Sequence, residues 1–294
     1  MIALPAILIA QATKQGASLQ PTSALPARVP YRLISGIVTL EASIASGKPI
    51  RSALDTGLTT CIASEKLAEA ARMTRLDAQL LQAPLGPLTV TTSSPINLRI
   101  GSAMFSSVPM SIGDVGSQIS SDRSLEWPEL WIGLPVLMSC AIVLDPTDSS
   151  ATLIDSGAPP PRGSRLISIE VRDGRIEAPV ILNGKGPESW TVSTATPGTV
   201  VSSRLAKLIQ PKVENLRDVK TSSGRMVRIG ASKFEDLRLG SVKINGVTAV
   251  VPATDGPEVA GVIGTDVLLR HVVYINCAKR QMALAPRRAQ RGQN

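Results

Sequence analysis

The sequence predicts an all-β protein with short helices, built as two tandem units. Short or alternating apolar runs such as SGIVTLEASI, PINLRI and AIVLDP are separated by clusters of Gly, Ser, Pro and Asp, the pattern of strands and turns. One stretch in each half, near 64–72 and 203–209, has the spacing of a short helix. Four sequence blocks then recur in one order, the mark of an internal repeat.

A chain of 294 residues can hold two domains of ordinary size, and 43% hydrophobic against 18% charged residues marks it as globular. With three Trp, two Tyr and two Phe, its cores must be built mainly from Val, Ile, Leu and Ala, which suits strands. The formal charge of +8 is scattered, and part of it lies in the terminal RRAQRGQN. No basic face with interleaved aromatics and no zinc-finger, RRM or KH signature is present, so nucleic acid is not an expected partner. Cys61, Cys140 and Cys277 form no C-x-x-C pair; one disulfide plus a free thiol, or three buried thiols, both fit. The single histidine, His271, lies in the apolar run LLRHVVYI and reads as a half-buried strand residue. There is no His/Cys ligand cluster and no phosphate-binding glycine loop, so neither metal nor other cofactor is implied.

Taken in order, residues 1–30 read as a signal peptide and leader. MIALPAILIAQATKQGAS carries an apolar run from Ile2 to Ala10, too short to span a membrane, although no Lys or Arg precedes it. Export to the periplasm or the medium is expected, with the cytoplasm as the alternative. The first unit, 31–156, carries the loop ALDTGLTT, then the helix near 64–72, a turn around Gly86, the strand ending LRIG, and the segment LWIGLPVLMSCAIVLD. GAPPPRGS at 157–164 is a linker whose prolines favour an extended, solvated connection. The second unit, 165–286, repeats the series, and 287–294 is a basic tail. LDTGLTTCIASEKLA (54–68) lies over VSTATPGTVVSSRLA (192–206) at an offset of 138, and Gly86 lies over Gly224 at the same offset. LRIGSAMFSSVPMSI (98–112) matches LRLGSVKINGVTAVV (237–251) at 139, and LWIGLPVLMSCAIVLD (130–145) matches GVIGTDVLLRHVVYIN (261–276) at 131. The offset changes fall between blocks, as expected for a duplicated unit of about 120 residues.

An apolar-apolar-Asp-Thr-Gly loop, a hairpin, a strand ending in Leu-x-Leu/Ile-Gly, and an apolar-apolar-Gly followed by a short helix and a last strand together resemble the retropepsin-like (retroviral-type) aspartic protease family. The likeness is to a bacterial-style tandem of two lobes, each an acid-protease β-barrel, covering about 31–155 and 165–285. The resemblance implies a peptide hydrolase that acts on polypeptide through Asp55, with Thr56 bracing the loop against its twin and Gly57 letting backbone approach the carboxylate. It also implies that Ile132-Gly133 and Ile263-Gly264 support the loops and that the regions of Gly86 and Gly224 are flaps that close over substrate.

Two departures bear on activity. Leu58 follows Asp-Thr-Gly where the family usually has Ala or Ser, which narrows the expected cleft. In the second lobe the triplet is Ser193-Thr194-Ala195, although its support is intact. Aspartic protease chemistry uses two carboxylates about 3 Å apart sharing one proton, and a serine cannot ionise near neutral pH. No other acid takes the place: Asp266 in GTDVLL reads as the N-cap of a short helix, and Asp145 and Asp255 as strand-end or turn residues. Two function classes follow. One is an endopeptidase that acquires a second Asp55 by forming a homodimer. The other is an impaired pseudoprotease that holds an extended peptide between its lobes without cutting it.

Overall fold

Strands dominate the chain because its apolar residues alternate with polar ones over short runs. A computed structural model describes residues 19–45, 47–83, 86–116, 126–220, 226–252 and 261–287. From Ala27 to Arg32 and over the first residues of Ala103–Ile112 side chains alternate into a core and out of it, as the pleat requires, whereas Ile37–Ile44 is buried on both faces for most of its length.

In the first half six strands close on themselves. Ile37–Ile44 pairs with Ile50–Leu54, which runs parallel to Leu130–Ile132; this pairs with Cys61–Ala63, then Ala103–Ile112, then Gly86–Ile100, which returns to Ile37–Ile44. In the second half Arg175–Leu182 pairs with Lys185–Val192, which runs parallel to Val262–Ile263. Single bridges at Val200 then lead from Val262 to Val250 in the strand Val247–Pro252, followed by Met226–Phe234 and Glu214–Lys220. Each half has a helix capped by a serine: Ser64 Oγ accepts from Leu67 N at 3.2 Å ahead of Glu65–Ala70, and Ser202 Oγ from Leu205 N at 3.1 Å ahead of Ser203–Ile209. Such caps are worth about 1 kcal/mol each.

The halves are joined by a sheet to which each contributes three strands, in the order Arg165–Ser168, Gln281–Pro286, His271–Asn276, Ala141–Asp145, Ser150–Ile154, Ala27–Ile34. At its centre Ile142, Val143 and Leu144 face Ile275, Tyr274 and Val273. One face supplies Ile142, Leu144, Val273 and Ile275 to a core shared by both halves. The other holds Tyr274 between Ala141 and Ala283.

The start of the connection between the halves is hydrogen-bonded to the second half, and its remaining residues are exposed or half-buried. Tyr274 Oη donates to the Ala158 carbonyl at 3.3 Å, Asn276 Nδ2 to that of Ser156 at 2.9 Å, and Lys279 Nζ to that of Gly157 at 3.3 Å. The first unit also begins earlier than residue 31. Ala27 to Pro30 pair with Leu153 to Ser150, and before them Ser23 Oγ accepts from Met104 N at 2.8 Å. Part of the expected leader is therefore strand, because its alternating apolar residues Ala27, Val29 and Tyr31 fill the core. Residues 1–18 of that leader, and 288–294 of the basic tail, lie outside the described residues. Among the described residues no helix is long and apolar enough to cross a membrane.

Candidate active site

Asp55 sits where a strand ends against a parallel neighbour. Leu54 is opposite Ile132, the Asp55 N–H donates to the Ile132 carbonyl at 2.9 Å, and the Leu134 N–H donates to that of Leu58 at 3.0 Å. The chain must turn sharply between these bonds, and the Gly57 N–H closes the turn by donating to Asp55 Oδ1 at 2.8 Å. The same construction surrounds Ser193. Val192 is opposite Ile263, Ser193 N donates to the Ile263 carbonyl at 3.0 Å, Thr265 N to that of Thr196 at 2.9 Å, and Ala195 N to Ser193 Oγ at 3.2 Å. Gly133 and Gly264 are required by proximity: a Cβ on Gly133 would lie 2.3 Å from the Thr60 carbonyl oxygen, and one on Gly264 2.7 Å from that of Thr196.

The two loops grip each other through their threonines, both fully buried. Thr56 Oγ1 donates to the Val192 carbonyl at 2.5 Å and accepts from Thr194 N at 3.1 Å. Thr194 Oγ1 donates to the Leu54 carbonyl at 2.6 Å and accepts from Thr56 N at 3.3 Å. A hairpin turn from each half backs the opposite loop. Val38 N donates to the Thr194 carbonyl at 3.0 Å and Ile176 N to that of Thr56 at 3.3 Å. Gly36 lies against Pro197, and Gly174 against Thr59.

This grip brings Ser193 onto Asp55. The Ser193 hydroxyl accepts from Ala195 N and from Thr196 Oγ1 at 2.9 Å, which leaves its own proton for the Asp55 carboxylate. Asp55 is only 8% exposed. Burial pushes its carboxyl from an ordinary 3.8 up to about 6, against the opposing effects of the Gly57 N–H and the Ser193 hydroxyl. A carboxyl titrating there is half ionised at about pH 6 and mostly ionised at neutrality, so it can act as a base, yet among the described residues no second carboxylate stands beside it to act as the acid. Ser193 of the same chain occupies the position opposite Asp55, and both threonine hydroxyls are engaged within the chain.

Leu58 is buried in an apolar cluster with Ile37, Ile62, Val90, Val115, Trp131 and Ala195, so both halves contribute to the wall beside Asp55. Gly86 begins the strand Gly86–Ile100, in register with Ala83 at the end of Arg75–Ala83. Gly224 lies outside the described residues, between the paired strands Glu214–Lys220 and Met226–Phe234. Leu76, Leu80, Leu216 and Met226 on these hairpins are each more than half exposed.

Other expectations are refined. Asp266 is not the N-cap; Gly264 is, and Asp266 Oδ1 accepts at 2.9 Å from Thr199 Oγ1, which itself accepts from Gly264 N at 3.2 Å. Through Thr199 the acid braces the support of the Ser193 loop. Asp145 ends its strand and accepts from Thr147 N at 2.8 Å; Asp255 lies outside the described residues. All three cysteines are buried free thiols. His271 begins its strand half-buried, and burial lowers its imidazole below the ordinary value. Sequence reasoning missed Thr196, whose hydroxyl orients Ser193, and the turns at Gly36 and Gly174, whose Ser-Gly and Asp-Gly pairs were a usable turn signal.

Two loops cross-braced by threonines, one of them presenting a buried Asp-Thr-Gly, are the arrangement expected of an aspartic protease. Residues 178–267 match the family model described as Aspartyl protease, so this segment is similar to that family. The matched segment contains Ser193-Thr194-Ala195, the loop without the acid. No curated protein matches the chain.

Proposed function

We propose that this chain is a bilobal aspartic-type peptidase that holds an extended polypeptide between lobes 31–156 and 165–286, with hydrolysis resting on Asp55 alone. The observation that carries the reading is the pairing of Asp55 with Ser193 across the threonine grip. In this mechanism ionised Asp55 takes a proton from water as the water attacks the scissile carbonyl, then returns it to the leaving nitrogen. Ser193 keeps Asp55 oriented and offers a hydrogen bond in place of a proton. The missing acid costs roughly 10²–10⁴ in rate, the usual worth of general acid catalysis. The strand pairs Arg75–Ala83 with Gly86–Ile100 and Glu214–Lys220 with Met226–Phe234 act as flaps, and their exposed Leu80 and Met226 are suited to close on an apolar ligand. Export to the periplasm or the medium is part of the same proposal and rests on the apolar run Ile2–Ala10.

The test is cleavage of a diverse peptide library by the wild type, Asp55→Asn and Ser193→Asp. Slow wild-type turnover that Asp55→Asn abolishes and Ser193→Asp raises by about 10² or more is the expected result. Peptide binding with no wild-type turnover would favour the pseudoprotease reading, for which the serine at position 193 is the supporting observation. Cleavage that persists in Asp55→Asn would overturn both.

A further inference from the structure

The two turns that back the loops differ in chemistry. In the first half Ile37 follows Gly36 and packs with Leu58, Ile62 and Ala195. Its counterpart at the offset of 138 is Arg175, which follows Gly174, and Gly174 lies against Thr59, two residues beyond the Asp55-Thr56-Gly57 tip. The next residue, Ile176, is fully buried in the main core, so strand alternation sends Arg175 to the opposite face, as Ile37 opposes Val38.

Arg175 is unmatched there. Its Nε is buried with no hydrogen-bond partner, and among the described residues no carboxylate pairs with it. Nearby acids are engaged elsewhere: Glu170 with Arg172, and Glu177 with Ser189 Oγ at 2.7 Å and Arg172 at 3.8 Å. A buried guanidinium donor without an acceptor is costly, and its planar fork suits a carboxylate.

We infer that Arg175 sets specificity by binding an acidic side chain, Asp or Glu, of the polypeptide on the second-half side of the cleft. This inference rests on the proposed reading that the cleft holds extended polypeptide.

It is tested by fluorescence-polarisation binding of the full chain to extended, Leu-rich peptides in matched sets, each with Glu or Gln at one scanned position. The expected result is one position at which Glu is favoured about tenfold over Gln, the size of a charge-assisted bond. That preference shrinks with added salt, is partly kept by Arg175→Lys, and vanishes in Arg175→Gln and Arg175→Ile. Peptides that bind without any Glu preference, or a preference that survives Arg175→Gln and Arg175→Ile, overturn the inference and leave the proposed function standing. Failure of every peptide, the all-apolar ones included, to bind the folded wild type overturns that reading and the inference with it. Should Arg175→Ile not fold, Arg175→Lys and Arg175→Gln still decide the case.

Discussion

Thr56 and Thr194 each supply a donor and an acceptor to the opposite loop, so one methyl-for-hydroxyl exchange strands two buried backbone groups. Thr56→Val leaves the Val192 carbonyl and the Thr194 N–H unpaired. At about 1–3 kcal/mol for each orphaned group, the expected loss is about 2–5 kcal/mol in denaturant unfolding, and less than additive with Thr194→Val because the two hydroxyls serve one network. Asp55 makes a prediction of the opposite sign. Its carboxyl titrates near 6 when folded and near 3.8 when not, so between those values the folded state binds a proton that the unfolded state has released. Its contribution to stability is therefore whole below about 3.8 and is lost as pH rises through about 6. Roughly two units correspond to about 3 kcal/mol. Asp55→Asn should exceed the wild type in Tm at pH 8 by more than it does at pH 4; an equal difference at both would refute the burial argument. Activity turns on the same group: wild-type hydrolysis should rise with pH through about 6, whereas Ser193→Asp creates a pair sharing one proton and should move the optimum to lower pH.

At the scale of elements, strand pairs and glycines hold the loops in place. Gly133 and Gly264 are the points at which the supporting strands pass under the tips, and the atoms a Cβ would strike are backbone, which cannot swing aside. Gly133→Ala should shift the Asp55 loop and lower kcat far more than its expected 1–3 kcal/mol of destabilisation would suggest, since that loop positions the carboxylate proposed to carry hydrolysis. Leu144, fully buried at the centre of the joining sheet opposite Val273, is the complementary case. Leu144→Ala should cost about 2–5 kcal/mol without altering the pH dependence of activity.

Over the whole molecule, the joining sheet and the threonine grip combine the halves within one chain. Activity should thus be proportional to protein concentration, sedimentation should report a monomer in active fractions, and added Asp55→Asn chain should not poison the wild type. Much of this was legible in the sequence: ALDTGLTT, the recurring blocks, and both serine-capped helices, since Ser64 and Ser202 act on N–H groups three residues away. The strand Ala27–Ile34 was not legible, because it acquires its meaning only from the distant Ser150–Ile154. Asp266 carried an N-cap pattern, yet a threonine hydroxyl 67 residues away captured it. Local sequence alone determined the strand-rich class, the duplicated series and the single Asp-Thr-Gly, because those depend on residue type and short spacing. Only the tertiary structure decided that Ser193, 138 residues on, is what Asp55 meets, because nothing local distinguishes a loop that grips its own chain from one that grips a second copy.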